Sequence, residues 1–151
     1  MPRTIISDTS CFIILTNIGE FNLLEKIYGK VITTIEVATE FGETLPDWVE
    51  IKNAENKLVK ELLEFQLDKG EASAIALALE IPDSTIILDD LRARKVAKHH
   101  RLKVTGTVGV IVKAKLIGII PSIKPYLLKI SQTDFRISKE IEKNALFEAG
   151  E

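Results

Sequence analysis

The feature that most constrains this chain is the alternation of short β-rich runs with helix-spaced segments along its 151 residues. The runs "RTIIS", "KVIT", "PDWVEIK", "STIIL" and "LKVT" read as five strands. Between them lie segments with helical spacing. "SCFIILTNI" and "EFNLLEKIY" end at Gly29, and Thr34 is a candidate N-cap for "IEVATEFG", which stops at Gly42. "NAENKLVKELLEFQLDKG" sets Leu58, Leu62, Leu63 and Phe65 on one side and is expected to end near Gly70. "EASAIALALEI" halts at Pro82, "DDLRARKVAKHH" follows the fourth strand and "TVGVIVKAKLIG" the fifth. "IPSIKPYLLKIS" and "ISKEIEKNALFEAG" read as closing helices. Strands separated by helices need crossover connections, so the expected fold is a three-layer α/β/α sandwich on a mostly parallel five-stranded sheet. The chain has no repeats, low-complexity tracts or linker, and residues 1–151 read as one domain. In such folds ligands bind beyond the carboxyl ends of the strands.

Hydrophobic residues at 46% and charged residues at 28% match a globular protein. The apolar runs "VGVIV" and "LIGII" are too short to span a bilayer, so no membrane association is expected. "MPRTIISD" does not read as a signal peptide, and the single cysteine, Cys11, permits no intrachain disulfide. Together these favour a cytoplasmic location. Cys11 precedes Phe12, Ile13 and Ile14 and reads as a small buried residue. The net charge of −2 hides an asymmetry: Leu91 to Thr133 contains no Asp or Glu. That stretch holds ten of the twenty Lys and Arg residues, among them Arg92, Arg94, Lys95, Lys98 and Arg101. An anionic partner and a merely solvated basic face both account for it.

The acids cluster by position. Asp8 ends strand one, Asp89 and Asp90 end strand four, Glu71 opens a helix, and Glu36 and Glu40 are four apart in the helix after strand two. A parallel sheet would bring Asp8 and the Asp89–Asp90 pair to one edge. Converging carboxylates repel, and a divalent cation resolves the repulsion; an all-oxygen set suits Mg²⁺ or Mn²⁺ rather than zinc. Each acid also has an ordinary explanation. Asp8 and Asp89 are candidate N-caps, Glu71 suits a helix N-terminus, and Glu36 and Glu40 are candidate exposed residues. The adjacent His99 and His100 read as surface or phosphate contacts.

The succession "IISDTS", "TTIEVATEF", "KGEASAIALA" and "ILDDLRARKVAKHHRLKVTGTVGVIVKAK" resembles the PIN-domain nucleases, most closely the small prokaryotic branch of VapC-like toxins. The resemblance reaches to about Ile120, and residues 121–151 match poorly. It implies that Asp8, Glu40, Glu71 and Asp90 form a catalytic, Mg²⁺- or Mn²⁺-binding set, with Asp89 as helper or alternative ligand. Ser10 and either Thr105 or Thr107 are the supporting polar residues. Arg92, Arg94, Lys95, Lys98 and Arg101 become RNA-backbone contacts. The implied activity is metal-dependent cleavage of RNA, the implied partner a small antitoxin, and the implied assembly a homodimer. Phe12, Leu15, Phe21 and Leu24 are candidate interface residues, with core packing the competing explanation. Ala93 stands where the family often has an aromatic, which bears on substrate contacts.

Rival readings fit less well. A haloacid-dehalogenase-like site needs an acid at position 10, which is Ser10, and a receiver domain needs an Asp after strand three, where Lys52 stands. The sequence has no insertion long enough for the clamp or arch expected of a flap nuclease. A non-catalytic PIN-fold binding module and a housekeeping RNA-processing nuclease remain as alternatives.

Overall fold

The computed structural model describes residues 3–151; Met1 and Pro2, the first two residues of the stretch read for a signal peptide, lie outside it. β1 (Thr4–Ser7) is the centre of a five-stranded parallel sheet and pairs with both β2 (Val31–Thr33) and β4 (Ser84–Ile87). β3 (Val49–Ile51) extends the β2 side and β5 (Lys103–Thr105) the β4 side, giving the order β3-β2-β1-β4-β5. Ile6 sits opposite both Ile32 and Ile86. The chain therefore winds outward from β1 in one direction, returns beside β1, and winds out in the other. The crevice where this direction reverses lies at the carboxyl ends of β1 and β4.

Alternation along β1 builds two cores. Ile5, Val31, Val49 and Ile87 face α1 (Thr9–Asn17), α2 (Leu23–Tyr28), α3 (Ile35–Phe41) and α7 (Thr107–Leu116). α8 (Lys124–Ser131) and α9 (Lys139–Glu148) complete that layer. Ile6, Ile86 and Leu88 face the opposite layer, formed by α4 (Lys57–Leu63), α5 (Lys69–Glu80) and α6 (Leu91–His99). This is the three-layer α/β/α sandwich expected from the strand–helix alternation. Both faces are covered, so Ile5–Ile6 of β1 and Ile86–Ile87 of β4 each put an apolar residue on both faces of the sheet.

Several local expectations are corrected. The segment expected to run as one helix to Gly70 is two elements. α4 stops at Leu63, and α5 starts at Lys69 behind its N-cap Asp68, so Gly70 lies inside the first turn of α5. Only Leu63 of the four proposed core residues in that segment is buried; Leu58, Leu62 and Phe65 are exposed. Phe12, Leu15 and Leu24 are fully buried, so they are core rather than dimer interface. Phe12 packs on Phe21 and Phe41 with ring centroids 5.3 and 5.5 Å apart, and Phe21 in turn meets Trp48 at 5.2 Å. Cys11 is buried, and burial pushes its thiol well above the ordinary value, which removes it as a nucleophile. Among the described residues no helix is long and apolar enough to cross a membrane.

Phe12→Ala is expected to lower stability by about 3–5 kcal/mol in urea denaturation, because it empties the centre of the aromatic cluster. Leu58→Ala, on the exposed face of α4, is expected to change it by about 0.5 kcal/mol or less.

Candidate functional site

Asp8 is the first residue beyond β1. Its backbone N–H donates to Ile87 O at 3.2 Å, so the end of β1 is tied to the end of β4. Thr33 Oγ1 donates to Ser7 O at 2.8 Å and ties in the end of β2. Asp8 occupies the N-cap position of α1, but its side chain accepts no cap hydrogen bond. The capping explanation of its sequence position is therefore not realised. The side chain is buried, and Oδ1 has no hydrogen-bond partner. Removal from water pushes its carboxyl up to about 8, opposed by the Thr9 N–H and reinforced by Glu71, Asp68 and Glu40.

Those three acids come from α3 and from the start of α5. Thr9 Oγ1 donates to Glu40 Oε2 at 3.2 Å. Gly70 makes room for Glu40: a Cβ at position 70 would overlap the Glu40 carboxylate, and the Gly70 N–H donates to it. A second joint holds α3 against α5. The Thr34 and Ser73 hydroxyls are 2.7 Å apart, Thr34 accepts from Val37 N at 3.2 Å, and Ser73 donates to Gly70 O at 2.8 Å. Thr34 is thus the N-cap that its sequence position suggested. Partial burial raises the Glu40 carboxyl, as does nearby Asp68.

Asp68 and Glu71 form a reciprocal capping box. Asp68 Oδ1 accepts from Glu71 N at 2.8 Å, and Glu71 Oε1 accepts from Asp68 N at 3.4 Å. Despite this cap, the Glu71 carboxyl is pushed up to about 7, first by burial and then by Asp68, Asp90 and Glu40. Asp90 is the N-cap of α6 and accepts from Ala93 N through Oδ2 at 3.0 Å.

Asp89 is oriented differently. Its two oxygens accept from Thr107 N at 2.8 Å and Thr107 Oγ1 at 2.6 Å. It clamps the start of α7 to the end of β4. Arg94, whose Nη1 donates to Leu88 O at 2.8 Å, lies close enough to offset part of the burial that raises the Asp89 carboxyl. Of the supporting residues, Thr107 acts through this clamp, Thr105 lies beneath Gly109, and Ser10 is half-buried in the first turn of α1. Glu36 points elsewhere, paired with Lys60 at 2.7 Å. Arg92, Lys95, Lys98 and Arg101 are exposed on or just after α6.

Two participants escaped the sequence reading. Asp68 was hidden because the preceding helix was extended across it; the Asp-x-x-Glu spacing of Asp68 and Glu71 was the available signal. Thr9 was passed over for Ser10, yet Thr9 touches Glu40.

The donor set fits a hard divalent cation. Carboxylate oxygens dominate it, one of them is buried without a partner, and several acids are raised by one another's charge. Among the described residues no three His, Cys, Asp or Glu side chains are grouped so that they could hold a metal ion as they stand. Glu71 and Asp90 would turn from their backbone partners to contribute.

A parallel α/β sandwich with converging carboxylates at its switch point defines the class. A family model described as the PIN domain matches residues 4–151, and the chain belongs to the PIN-domain family, a family of nucleases. The match includes residues 121–151, beyond the reach of the motif resemblance. No curated protein and no solved structure matched the chain.

Raised carboxyl pKa values set the direction of a pH effect. The folded protein holds protons on Asp8 and Glu71 that the unfolded chain releases near the ordinary values of 3.8 and 4.5. Without divalent cation, stability is therefore expected to fall as pH rises from about 4 through 7 to 8. Asp8→Asn should remove much of that fall, amounting to a few kcal/mol, in urea titrations at pH 5 and pH 8 with EDTA present.

Proposed function

We propose that this PIN-domain protein is a Mg²⁺- or Mn²⁺-dependent endoribonuclease and the toxin of a toxin–antitoxin pair, cytoplasmic and self-associating as a homodimer. One observation carries the catalytic reading: Asp8 Oδ1 stays buried without a partner at the end of β1, with Glu40 and Glu71 near enough to raise its carboxyl and Asp90 near Glu71. These four acids are assigned to the cation. When bound, such an ion lowers the pKa of water and offsets charge developing on phosphoryl oxygens. The chain's own residues supply placement. Thr9 and Gly70 aim Glu40, the Asp68 cap fixes the first turn that carries Glu71, and the Asp89–Thr107 clamp sets where β4 ends. The buried Asp8 carboxyl ionises more readily when positive charge is near.

The basic segment around α6 starts one residue after Asp90, which supports an anionic polymer arriving from that side. The antitoxin and homodimer assignments rest on the resemblance to VapC-like toxins. An antitoxin offering Arg or Lys would find complementary charge at the acid cluster.

Cleavage of mixed-sequence RNA is expected in Mg²⁺ or Mn²⁺ and not in EDTA. Asp8→Asn and Asp90→Asn should each reduce kcat by at least about a hundredfold; activity persisting in EDTA or in both variants overturns the metal-nuclease reading. RNA binding without cleavage under all conditions favours a non-catalytic module. Induced expression separates the biological roles. Growth arrest relieved by Asp8→Asn supports the toxin; normal growth alongside RNA cleavage in vitro assigns RNA processing instead.

Gly70→Ala is expected to lower kcat about as much as Glu40→Gln, and the double variant to lose little more, because both act through one carboxylate. Additive losses would show that Gly70 matters by another route.

A further inference from the structure

A groove of about 710 Å³ leads away from the acid edge, starting at Asp89 and Gly106 and passing between α6 and the approach to α9. Leu91, Arg94 and Lys98 line one side; Phe135, Arg136 and Ile141 line the other. Leu91 and Ile141 are 70% and 47% exposed, large apolar side chains left uncovered at the rims. Lys98 and Arg136 take part in none of the ion pairs among the described residues. Arg136 Nη1 donates to Thr133 O at 2.9 Å, which steadies the guanidinium and leaves its other N–H groups available. Two acids share the lining, Asp89, which is committed to Thr107, and Glu148 on α9.

We infer that this groove seats the stretch of single-stranded RNA flanking the scissile phosphate, with Lys98 and Arg136 on phosphates and the Leu91–Phe135–Ile141 surface against a base. The inference rests on the nuclease reading and adds to it a role for residues 135–141, outside the acid motifs. Charge complementarity selects the occupant: unpaired cations on both sides suit a polyanion, and apolar side chains between them suit the face of a base. The volume is that of a site for a ligand of nucleotide size rather than for a duplex. Asp89 and Gly106 in its lining put one end of the groove at the carboxyl ends of β4 and β5, one residue from Asp90.

Binding of a fluorescein-labelled, mixed-sequence single-stranded 12-mer RNA to the full chain carrying Asp8→Asn, followed by anisotropy from low to moderate salt, tests it. Adding Lys98→Ala with Arg136→Ala should weaken binding about tenfold or more. It should also flatten the plot of log affinity against log salt by about 1.4, two single-strand phosphate contacts at roughly 0.7 each. Leu91→Ser with Ile141→Ser should weaken binding and leave the slope unchanged. Lys26→Ala with Lys30→Ala removes the same charge from the α2 region and should change neither. In an otherwise unaltered chain, Lys98→Ala with Arg136→Ala should raise KM more than it lowers kcat. Equal losses in the two lysine-containing double variants, or an unchanged slope where the Asp8→Asn parent binds RNA and the unaltered chain cleaves it, overturn the groove and leave the nuclease reading standing. A shift in sedimentation of the Leu91–Ile141 variant at unchanged RNA affinity overturns it in favour of a protein contact. A chain that neither binds nor cleaves RNA overturns both.

Discussion

A carboxylate held out of water at the end of the central strand is the constraint on which this structure turns. Asp8 sits where the central strand ends, hydrogen-bonded through its backbone to the end of β4 and surrounded by other acids. Burying such a group without a partner is unfavourable, and adding like charges makes it more so. The fold tolerates this because everything around Asp8 is fixed by other means. Strand register holds β1 against β4, the Thr34–Ser73 joint locks α3 to α5, and the Asp89–Thr107 clamp secures α7. Stability elsewhere, concentrated in two apolar cores, permits local disfavour at the edge of the sheet.

The acids and bases are then divided by geography. Converging carboxylates occupy the switch point, while the acid-free segment begins with α6 and borders it. A polyanion is drawn by the second and repelled by the first until the negative charge of the cluster is neutralised. Under the proposed function, affinity and reactivity belong to adjoining but separate sets of side chains, which would respond differently to salt and to metal.

The fold was legible because its signals are local and repeated. Five β-rich runs separated by helical spacing allow few arrangements other than a covered parallel sheet, and a Pro or Gly marks most of the breaks. Of the four proposed acids, Asp8, Glu71 and Asp90 were marked out by positions after strands or at a helix start, and Glu40 only by the motif resemblance. What stayed hidden depends on tertiary contact. Asp68 looked like part of a helix because the leucines before it carry a helical period, although Leu58 and Leu62 face solvent. Phe12 and Leu24 looked equally suited to an interface or a core, since periodicity reports an apolar face and not what covers it. The Asp89–Thr107 clamp joins residues 18 apart, and nothing local to either one announces it.

Gly70 has a consequence for how this sequence can drift. Its own atoms offer no chemistry beyond a backbone N–H, and a helix interior would ordinarily favour alanine there. What a methyl group would displace is the carboxylate of Glu40, thirty residues earlier. Positions 40 and 70 are therefore coupled through excluded volume. Shortening the acid to Asp would relax the demand on 70, and restoring Glu would reinstate it. Among descendants of this chain the two positions are expected to vary together, with a larger residue at 70 accompanying a shorter side chain at 40.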